Sequence, residues 1–585
     1  GIDPENATIR DSNPYLYSDP DNPLALPETV LPKGGIYDLT EYSLTSMDLR
    51  ATVAYNADLG KTGDHILNLF AGSELNSTDR QAIWFRGWGY QYNNGGIPYV
   101  DYRLFKQSQE EGTDYYSNSF QYLRNLAYFG MATYSYKARY TINGTLRYEG
   151  SNMLGKSRQA RWLPTWNVSG SWNAHEENWW APTFGKAWTY ASLKGSYSLT
   201  ADRGPASNSL AVFTSFTPWR PSTSANESAI ILAALENSEL TYEKKNELNI
   251  GVALGFVDNR INVEFDWYRR NNFDLIGYTQ TMGVGGVTTK LANDATMEST
   301  GCEFTISTTN IKTKDFKWTT DWIFGWAENT ITKLDSRSQV YSLVNGVGRT
   351  EGRPIGALYS IPFAGLTEEG LPTFFIDAEH TQVVGPGNYA AIYFQEYENI
   401  DYLKYEGTID PKITGSFGNT FSWKGLKLNV FFTYSFGNVL RLDNLCPVYS
   451  SDYSDLTASM KEMKNRWMVP GDENVTTIPS IPTVRQMREI DALSNAYSAY
   501  NYSTERVAKG DFIRLKELSL AYDLPKKYFE GQNAVSSFGV KLSATNLWLA
   551  YADKKLNGRD PEYYNTGGVS SPVPRQFTLT VKLGF

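Results

Sequence analysis

The chain has 585 residues with 54 Lys and Arg against 63 Asp and Glu, a net charge of −9, which excludes a nucleic-acid binder working through a basic surface. Two cysteines, Cys302 and Cys446, exclude a disulfide framework and any thiolate zinc cluster. No stretch approaches the ~20 apolar residues of a membrane helix, but 14% aromatic residues and 48 glycines keep a membrane barrel open, because barrel strands are only half apolar.

The chain opens on Gly1-Ile2-Asp3-Pro4, with no initiator Met, charged n-region, apolar h-region or cleavage site, so targeting information is expected upstream. Alternation with period two then recurs along the whole length. Candidate strands lie near 45–57, 64–75, 120–136, 138–149, 165–174 and 187–199. From Glu247 to Phe256 the even positions Leu248, Ile250, Val252, Leu254 and Phe256 are apolar, and Asp258-Asn259 predicts a tight turn. The returning strand sets Ile261, Val263, Phe265 and Trp267 against Asn262, Glu264 and Asp266. Further strands are expected near 299–309, 316–328 and 413–423, then after a Trp423-Lys424-Gly425 turn at Leu426 to Phe436, and near 511–523 and 537–548. The last strand alternates Phe577, Leu579, Val581, Leu583 and terminal Phe585 with polar residues. That makes on the order of fifteen strands.

Some connections are very short. Others, about 77–118, 201–240, 335–410 and 438–510, are long and rich in Tyr, Asn, Gly, Pro and Ser, and only Asp455 to Trp467 and Val484 to Tyr497 read as helical. Short turns on one side and long loops on the other predict an all-β, transmembrane antiparallel β-barrel. A soluble propeller or stacked sandwich would alternate too. Strands near ten residues, longer than the usual five or six, and aromatics near strand ends favour the barrel. Tyr134, Tyr136, Tyr140 and Tyr148 with Trp162, Trp166 and Trp172 read as an interfacial girdle.

Specific strings add a family. Tyr134-Ser-Tyr-Lys-Ala-Arg-Tyr140, Leu146-Arg-Tyr-Glu-Gly-Ser151 and Trp162-Leu-Pro164 resemble a stretch of SusC/RagA-type TonB-dependent transporters, with Glu149 in place of Asp and Leu163 in place of Phe. Leu193-Lys-Gly-Ser-Tyr197, Glu243 to Gly251 with Asp266-Trp-Tyr-Arg-Arg270, and Gly352-Arg-Pro-Ile-Gly356 follow in the family's order. So do Arg466-Trp467 with Pro470-Gly-Asp472, Gly510 to Leu515 with Leu520 to Pro525, Ala544-Thr-Asn-Leu547, Asp560-Pro-Glu562, Pro574-Arg575 and the final aromatic. The Gly-x-x-Gly-Asn that ends the family's Leu-Arg-x-Ser-Tyr strand is replaced here by Leu199 to Gly204. The resemblance implies that residues 1–585 are the C-terminal portion of a 22-stranded barrel, with the plug, first strands and TonB box upstream.

Chemistry-bearing patterns are sparse. Three histidines, His65, His175 and His380, form no His-x-x-x-His or His-Glu-x-x-His, and His175-Glu176-Glu177 reads as a solvated strand end before it reads as a metal site. There is no Gly-x-Ser-x-Gly elbow. No enzyme activity, metal or cofactor is expected. Cys302 and Cys446 suit a bond or two thiols equally. The loop around Trp84, Arg86, Trp88, Tyr90 and Tyr92, and a second around Trp219 and Arg220, offer flat faces and hydrogen-bonding groups suited to sugars or peptides, and equally to packing against neighbouring loops. Tyr449 to Tyr453 is a similar candidate, and Asn249, Asn262, Glu264 and Asp266 would line a lumen. Phe585 resembles the terminal aromatic that barrel-assembly machinery reads.

By resemblance, the function is TonB-dependent import of oligosaccharides or oligopeptides across the bacterial outer membrane. The implied partners are a SusD-like lipoprotein, the TonB complex, outer-membrane lipids and a second transporter–lipoprotein pair. A passive porin or adhesin barrel, and a secreted β-rich glycan-active enzyme, are the rival readings. A lone barrel would favour the first rival, and detergent-free solubility with a hydrolysis lost on changing one carboxylate would favour the second.

Overall fold

A computed structural model describes residues 16–17, 21–22, 24–25, 28–29, 34–60, 63–92, 95–96, 102–104, 114–185, 187–206, 209–216, 229–283, 286–445, 461–525, 528, 535–564 and 574–585. Fifteen strands form one antiparallel sheet in which each strand pairs with its neighbours in chain order. They are β1 Gly35–Leu59, β2 His65–Tyr90, β3 Tyr116–Tyr136, β4 Tyr140–Ser151, β5 Trp162–Asn173, β6 Trp188–Asp202, β7 Glu243–Phe256 and β8 Ile261–Gln280. β9 Thr289–Lys312, β10 Phe316–Leu334, β11 Ile413–Trp423, β12 Leu426–Phe436, β13 Phe512–Asp523, β14 Ser537–Ala552 and β15 Gln576–Gly584 complete it. All fifteen expected segments are strands. Short helices among the described residues between them include α1 Arg158–Arg161, α2 Trp180–Phe184, α3 Val340–Val344, α4 Val484–Glu489 and α5 Leu493–Asn501. Among the described residues no helix is long and apolar enough to cross a membrane.

Register fixes the two faces. Tyr136, Tyr140, Trp172, Leu193, Val252, Phe265, Phe304 and Phe324 are successive cross-strand partners, an apolar row across β3 to β10. Asn68, Thr133, Asn143, Ser169, Ser196 and Asn249 form an equally continuous polar row on the opposite face of β2 to β7. The apolar face is uncovered: Val53 is 67% exposed and Leu579 66%. A soluble sandwich would bury that face under a second sheet, and an apolar surface this continuous marks a membrane interface. It is therefore the outer, lipid-facing side of a barrel wall.

The seven girdle residues all lie on this outer face. Trp162 and Trp172 are ten residues apart on β5. At ~3.3 Å per residue and a tilt of roughly 40° that is about 25 Å, the height of an outer-membrane apolar band. Tyr148 stacks on Trp162 at 5.1 Å, at one level. Tyr136, Tyr140 and Trp172 mark the other level.

One rim carries the short turns. Lys424 and Gly425 both have positive φ, 45° and 92°, the left-handed pair of a two-residue hairpin. Val257, Asp258 and Asn259 are all left-handed, and the expected Asp258-Asn259 turn is one residue wider at each end, spanning 257–260. The opposite rim carries the long connections. The expected loop at 77–118 is shorter than its composition suggests, because β2 continues to Tyr90 and β3 begins at Tyr116. A crossing needs about 9–11 residues, whereas β1 has 25 and β2 has 26, so this hairpin stands far above the apolar band. Within 201–240, Val212–Phe216 and Ala229–Ala234 form a small hairpin. Of the helix expected at Asp455 to Trp467, residues 455–460 lie outside the described residues and Lys461–Asn465 is 3-10. The one expected at Val484 to Tyr497 is divided into α4 and α5 by left-handed Ala492 (φ 52°).

The largest buried cluster is in the loops. Residues 335–412, 437–445 and 461–511 interlock over a core that includes Leu343, Ile361, Phe374, Tyr389, Tyr497 and Tyr500, each 1% exposed or less. We call this body the dome.

Candidate functional site

The aromatic segment expected in a loop stands on the upper part of β2. Counting from the turn, Asp38, Trp84, Arg86 and Trp88 lie on the same face as the polar residues Glu74 and Asn76, which is the inner face. Arg86 donates from Nε and Nη2 to the two carboxylate oxygens of Asp38, at 2.7 and 2.9 Å. Its guanidinium lies 5.4 Å from the ring centres of both Trp84 and Trp88. The hydrogen bond from Arg86 holds the Asp38 carboxyl below the ordinary range. Tyr90 stacks on Tyr37 at 4.8 Å, and Tyr92 meets Tyr90 edge-on and donates to the Ile36 carbonyl at 3.2 Å. Trp84, Arg86 and Trp88 are thus gathered into one ladder on the inner face, in which the guanidinium already lies against the two indoles, whereas the bulge at Gly89 turns Tyr90 to the side of Tyr37, the opposite face. Trp219, Arg220, Cys446 and Tyr449 to Tyr453 lie outside the described residues, and Cys302 is a free thiol on β9.

Below the ladder, charged groups line the inner wall. Arg147 bridges Glu149 at 2.5 Å and Glu74 at 3.3 Å. With Asn76, Asn125 and the buried Tyr242 they line a polar cavity of about 460 Å³ near the long-loop rim. Asn249, Asn262, Glu264 and Asp266 lie on this same inner face, as their alternation suggests. Among the described residues no group of three or more His, Cys, Asp or Glu could hold a metal. His175 bonds the Ala191 carbonyl at 2.9 Å and lies 3.4 Å from Glu176. The arrangement offers paired charges and amides along a wall, suited to contacting a polar solute.

The dome is pinned by arginines that composition and periodicity did not single out. Arg441 donates to the carbonyls of Ser503 (2.9 Å), Tyr359 (2.5 Å) and Val344 (3.3 Å) and to Ser360 Oγ (3.1 Å), joining the two loops. Burial pushes its guanidinium down to about 10, which leaves it charged at neutral pH. Arg506, 4% exposed, donates to Glu462 at 2.6 Å and to the Asp443 carbonyl at 2.7 Å. Arg514, equally buried, pairs with Asp560 and Glu562 and ties residues 553–564 to β13.

Carboxylates finish the dome's turns. Glu396 accepts from the backbone N–H groups of residues 397–399, and Asp377 from those of Thr381 and Gln382. These bonds hold both carboxyls below their ordinary values. A depressed folded-state value means the stabilisation is complete above the unfolded value and lost as pH falls through the folded one. The dome is therefore expected to become protease-sensitive below about pH 4 while the strands stay intact; unchanged dome cleavage at that pH would refute this.

The chain is similar to TonB-dependent receptor P3 of Formosa agariphila, 26% identical over 493 residues, covering 78% of this chain and 45% of the relative. It is also similar to TonB-dependent receptor SusC of Bacteroides thetaiotaomicron, 28% identical over 214 residues, covering 36% of this chain and 21% of that one. Among solved structures, that of the RagAB peptide transporter superposes with a TM-score of 0.72 at 21% identity, over 94% of this chain and 56% of the other. No family model matches the chain. The chain spans about half the length of the first curated relatives it matches. The resemblance to SusC/RagA-type TonB-dependent transporters read from its motifs is thus borne out, and its fold is that of an outer-membrane β-barrel wall.

Proposed function

We propose that the chain forms the wall and extracellular loops of a TonB-dependent importer that brings oligosaccharides or oligopeptides across the outer membrane, beneath a SusD-like lipoprotein. The observation that carries this reading is the inner face, which leads without a break in register from the Trp84–Arg86–Trp88 ladder to the Glu74–Arg147–Glu149 cluster and on down β2. A passage lined by paired charges and amides suits polar solutes. The barrel contributes contacts and no bond-breaking chemistry. β1 and β15 are each paired on one side only, and open edges are not tolerated in a bilayer. In a barrel of 22 strands, these fifteen leave seven to an upstream part that also supplies the plug and TonB contact.

The ladder is the proposed contact for the solute, with Trp219 and Arg220. Replacing Trp84 and Arg86 together by Ala is expected to weaken solute binding roughly tenfold or more in the intact complex, measured by calorimetry. Unchanged affinity would reduce the ladder to strand packing. Phe585, 85% exposed just after β15, is the proposed assembly signal. Its deletion is expected to lower the yield of heat-modifiable barrel in the outer membrane, and normal assembly rate and level would overturn that role.

The overall reading is tested by native mass spectrometry of the protein extracted from its own membrane. A stoichiometric lipoprotein with bound glycan or peptide is expected, and a two-plus-two mass would report the dimer of pairs. A lone barrel, with no lipoprotein and no solute, would turn the reading to a passive porin or adhesin.

A further inference from the structure

The connection between β5 and β6 is longer than the tight turns of its rim. Residues 174–187 include a 3-10 turn, Ala174–Glu176, and helix α2, where Lys424-Gly425 closes a hairpin with two. It does not hang free below the rim. Trp180, 5% exposed, packs edge-on against Trp188 at 4.7 Å and donates from Nε1 to the Trp188 carbonyl at 2.9 Å. Trp188 stacks on its cross-strand partner Phe256 at 5.6 Å. Ala191 and Leu254, also partners, join the same cluster. Phe256, Leu254 and Val252 alternate on the outer face, so α2 is folded back against the lipid side of the wall.

The segment before α2 is tied to that side as well. Glu177 accepts from the Tyr140 hydroxyl at 2.5 Å and Trp172 Nε1 at 3.3 Å, both girdle residues, and pairs with Arg139 at 3.1 Å. The carboxylate thus satisfies the polar tips of the girdle while their rings stay outside. Trp179 and Phe184, which pack against Trp180, remain 49% and 38% exposed, and Tyr140 and Trp172, held by Glu177, are 45% and 36% exposed. Two large aromatics left uncovered on a packed aromatic cluster, in continuity with the apolar band, fit the glycerol–acyl boundary of a bilayer better than water.

We propose that the β5–β6 connection is an in-plane membrane anchor, inserting Trp179 and Phe184 among the phospholipids of the periplasmic leaflet and fixing the depth of the barrel at this rim. The inference rests on the outer-membrane placement of the wall. A periplasmic protein docking on the same aromatics is the competing occupant.

The test is site-specific photocrosslinking of the full transporter in outer membranes. Benzoylphenylalanine replaces Trp179, Phe184, the band residue Leu193 or the turn residue Asp258, one at a time. Both Trp179 and Phe184 are partly exposed, so the bulky aromatic leaves the Trp180 cluster packed. Phospholipid adducts at 179 and 184 are expected at yields comparable with 193 and several-fold above 258. Protein adducts at 179 and 184, or lipid yields no higher than at 258, would overturn the anchor while 193 still reports lipid. Absence of lipid at 193 would overturn the membrane placement itself, and the anchor with it. A second measurement uses Trp179→Ser with Phe184→Ser, reconstituted in phosphatidylethanolamine nanodiscs. Spin labels near the rim are then expected to become more accessible to a water-soluble relaxant, and unchanged accessibility would also count against the anchor.

Discussion

Replacing Arg441 by Leu is expected to release the dome from itself while leaving the barrel wall folded. Its guanidinium supplies the hydrogen bonds of three carbonyls, from Val344, Tyr359 and Ser503, that belong to two loops far apart in sequence. The Ser503 carbonyl keeps the Arg506 backbone N–H at 3.0 Å, so the loss falls on Val344 and Tyr359. A buried group left without a partner costs ~1–3 kcal/mol, so the two together cost at least about 2 kcal/mol, provided no water replaces the guanidinium. Local opening scales with that figure, and hydrogen exchange of 335–412, 437–445 and 461–511 should accelerate by roughly 30-fold. The strands, held by their ladders, should exchange at their original rate. Lysine at this position restores one point charge but cannot reach the same set of acceptors with a planar fork, so Arg441→Lys should rescue little. Equal protection of the dome in wild type and Arg441→Leu would show that the apolar core alone holds the loops together.

Such an arginine leaves no trace in periodicity. The strands were legible because a wall between lipid and a polar lumen imposes period two on every residue it contains, as Leu248 to Phe256 illustrate. Above the apolar band that selection lapses: on β1, Tyr42 and Leu44 share the inner face with Asp48 and are 79% and 61% exposed. The upper part of β2 therefore reads as loop, although it is ladder. The dome was hidden for a different reason. Its core is assembled from strands of four residues, such as Ala357–Ser360 and Pro372–Phe375, and from α5 more than a hundred residues further on. No local pattern encodes such burial.

The pairing of Arg86 with Asp38 was recoverable in principle. Equal steps outward from the Leu59–His65 turn arrive at these two residues, since the register of this hairpin is unbroken from Leu59 to Ile36. What alternation alone withheld was that the strands continue so far, because nothing in an amphipathic pattern marks the end of a hairpin that has left the membrane. The girdle was legible for the opposite reason: Tyr and Trp are placed by the interface, whose two levels are set by bilayer thickness and not by the chain.

Placing one arginine on the outer face should separate the membrane wall from any soluble reading more sharply than any change in the lumen. Phe304 sits midway along the outer side of β9, between Thr308 and Glu298, and meets Trp322 edge-on at 5.6 Å. In lipid, Phe304→Arg is expected to cost about 2–4 kcal/mol, the penalty of a cation near the midplane of a barrel. Glu303 is its neighbour in sequence but faces inward, opposite Asp266 and Gly325. Glu303→Arg places a cation beside Asp266 in a wet lumen, where exposed pairs contribute roughly 0–1 kcal/mol of either sign. One residue of displacement along the strand should thus divide a crippled barrel from a normal one. The measurement is the folded fraction of the full transporter in phospholipid vesicles at increasing urea. A midpoint lowered by Phe304→Arg alone supports the assigned faces; equal midpoints for both variants, or a larger shift for Glu303→Arg, would reverse them and remove the polar lumen on which the proposed passage depends.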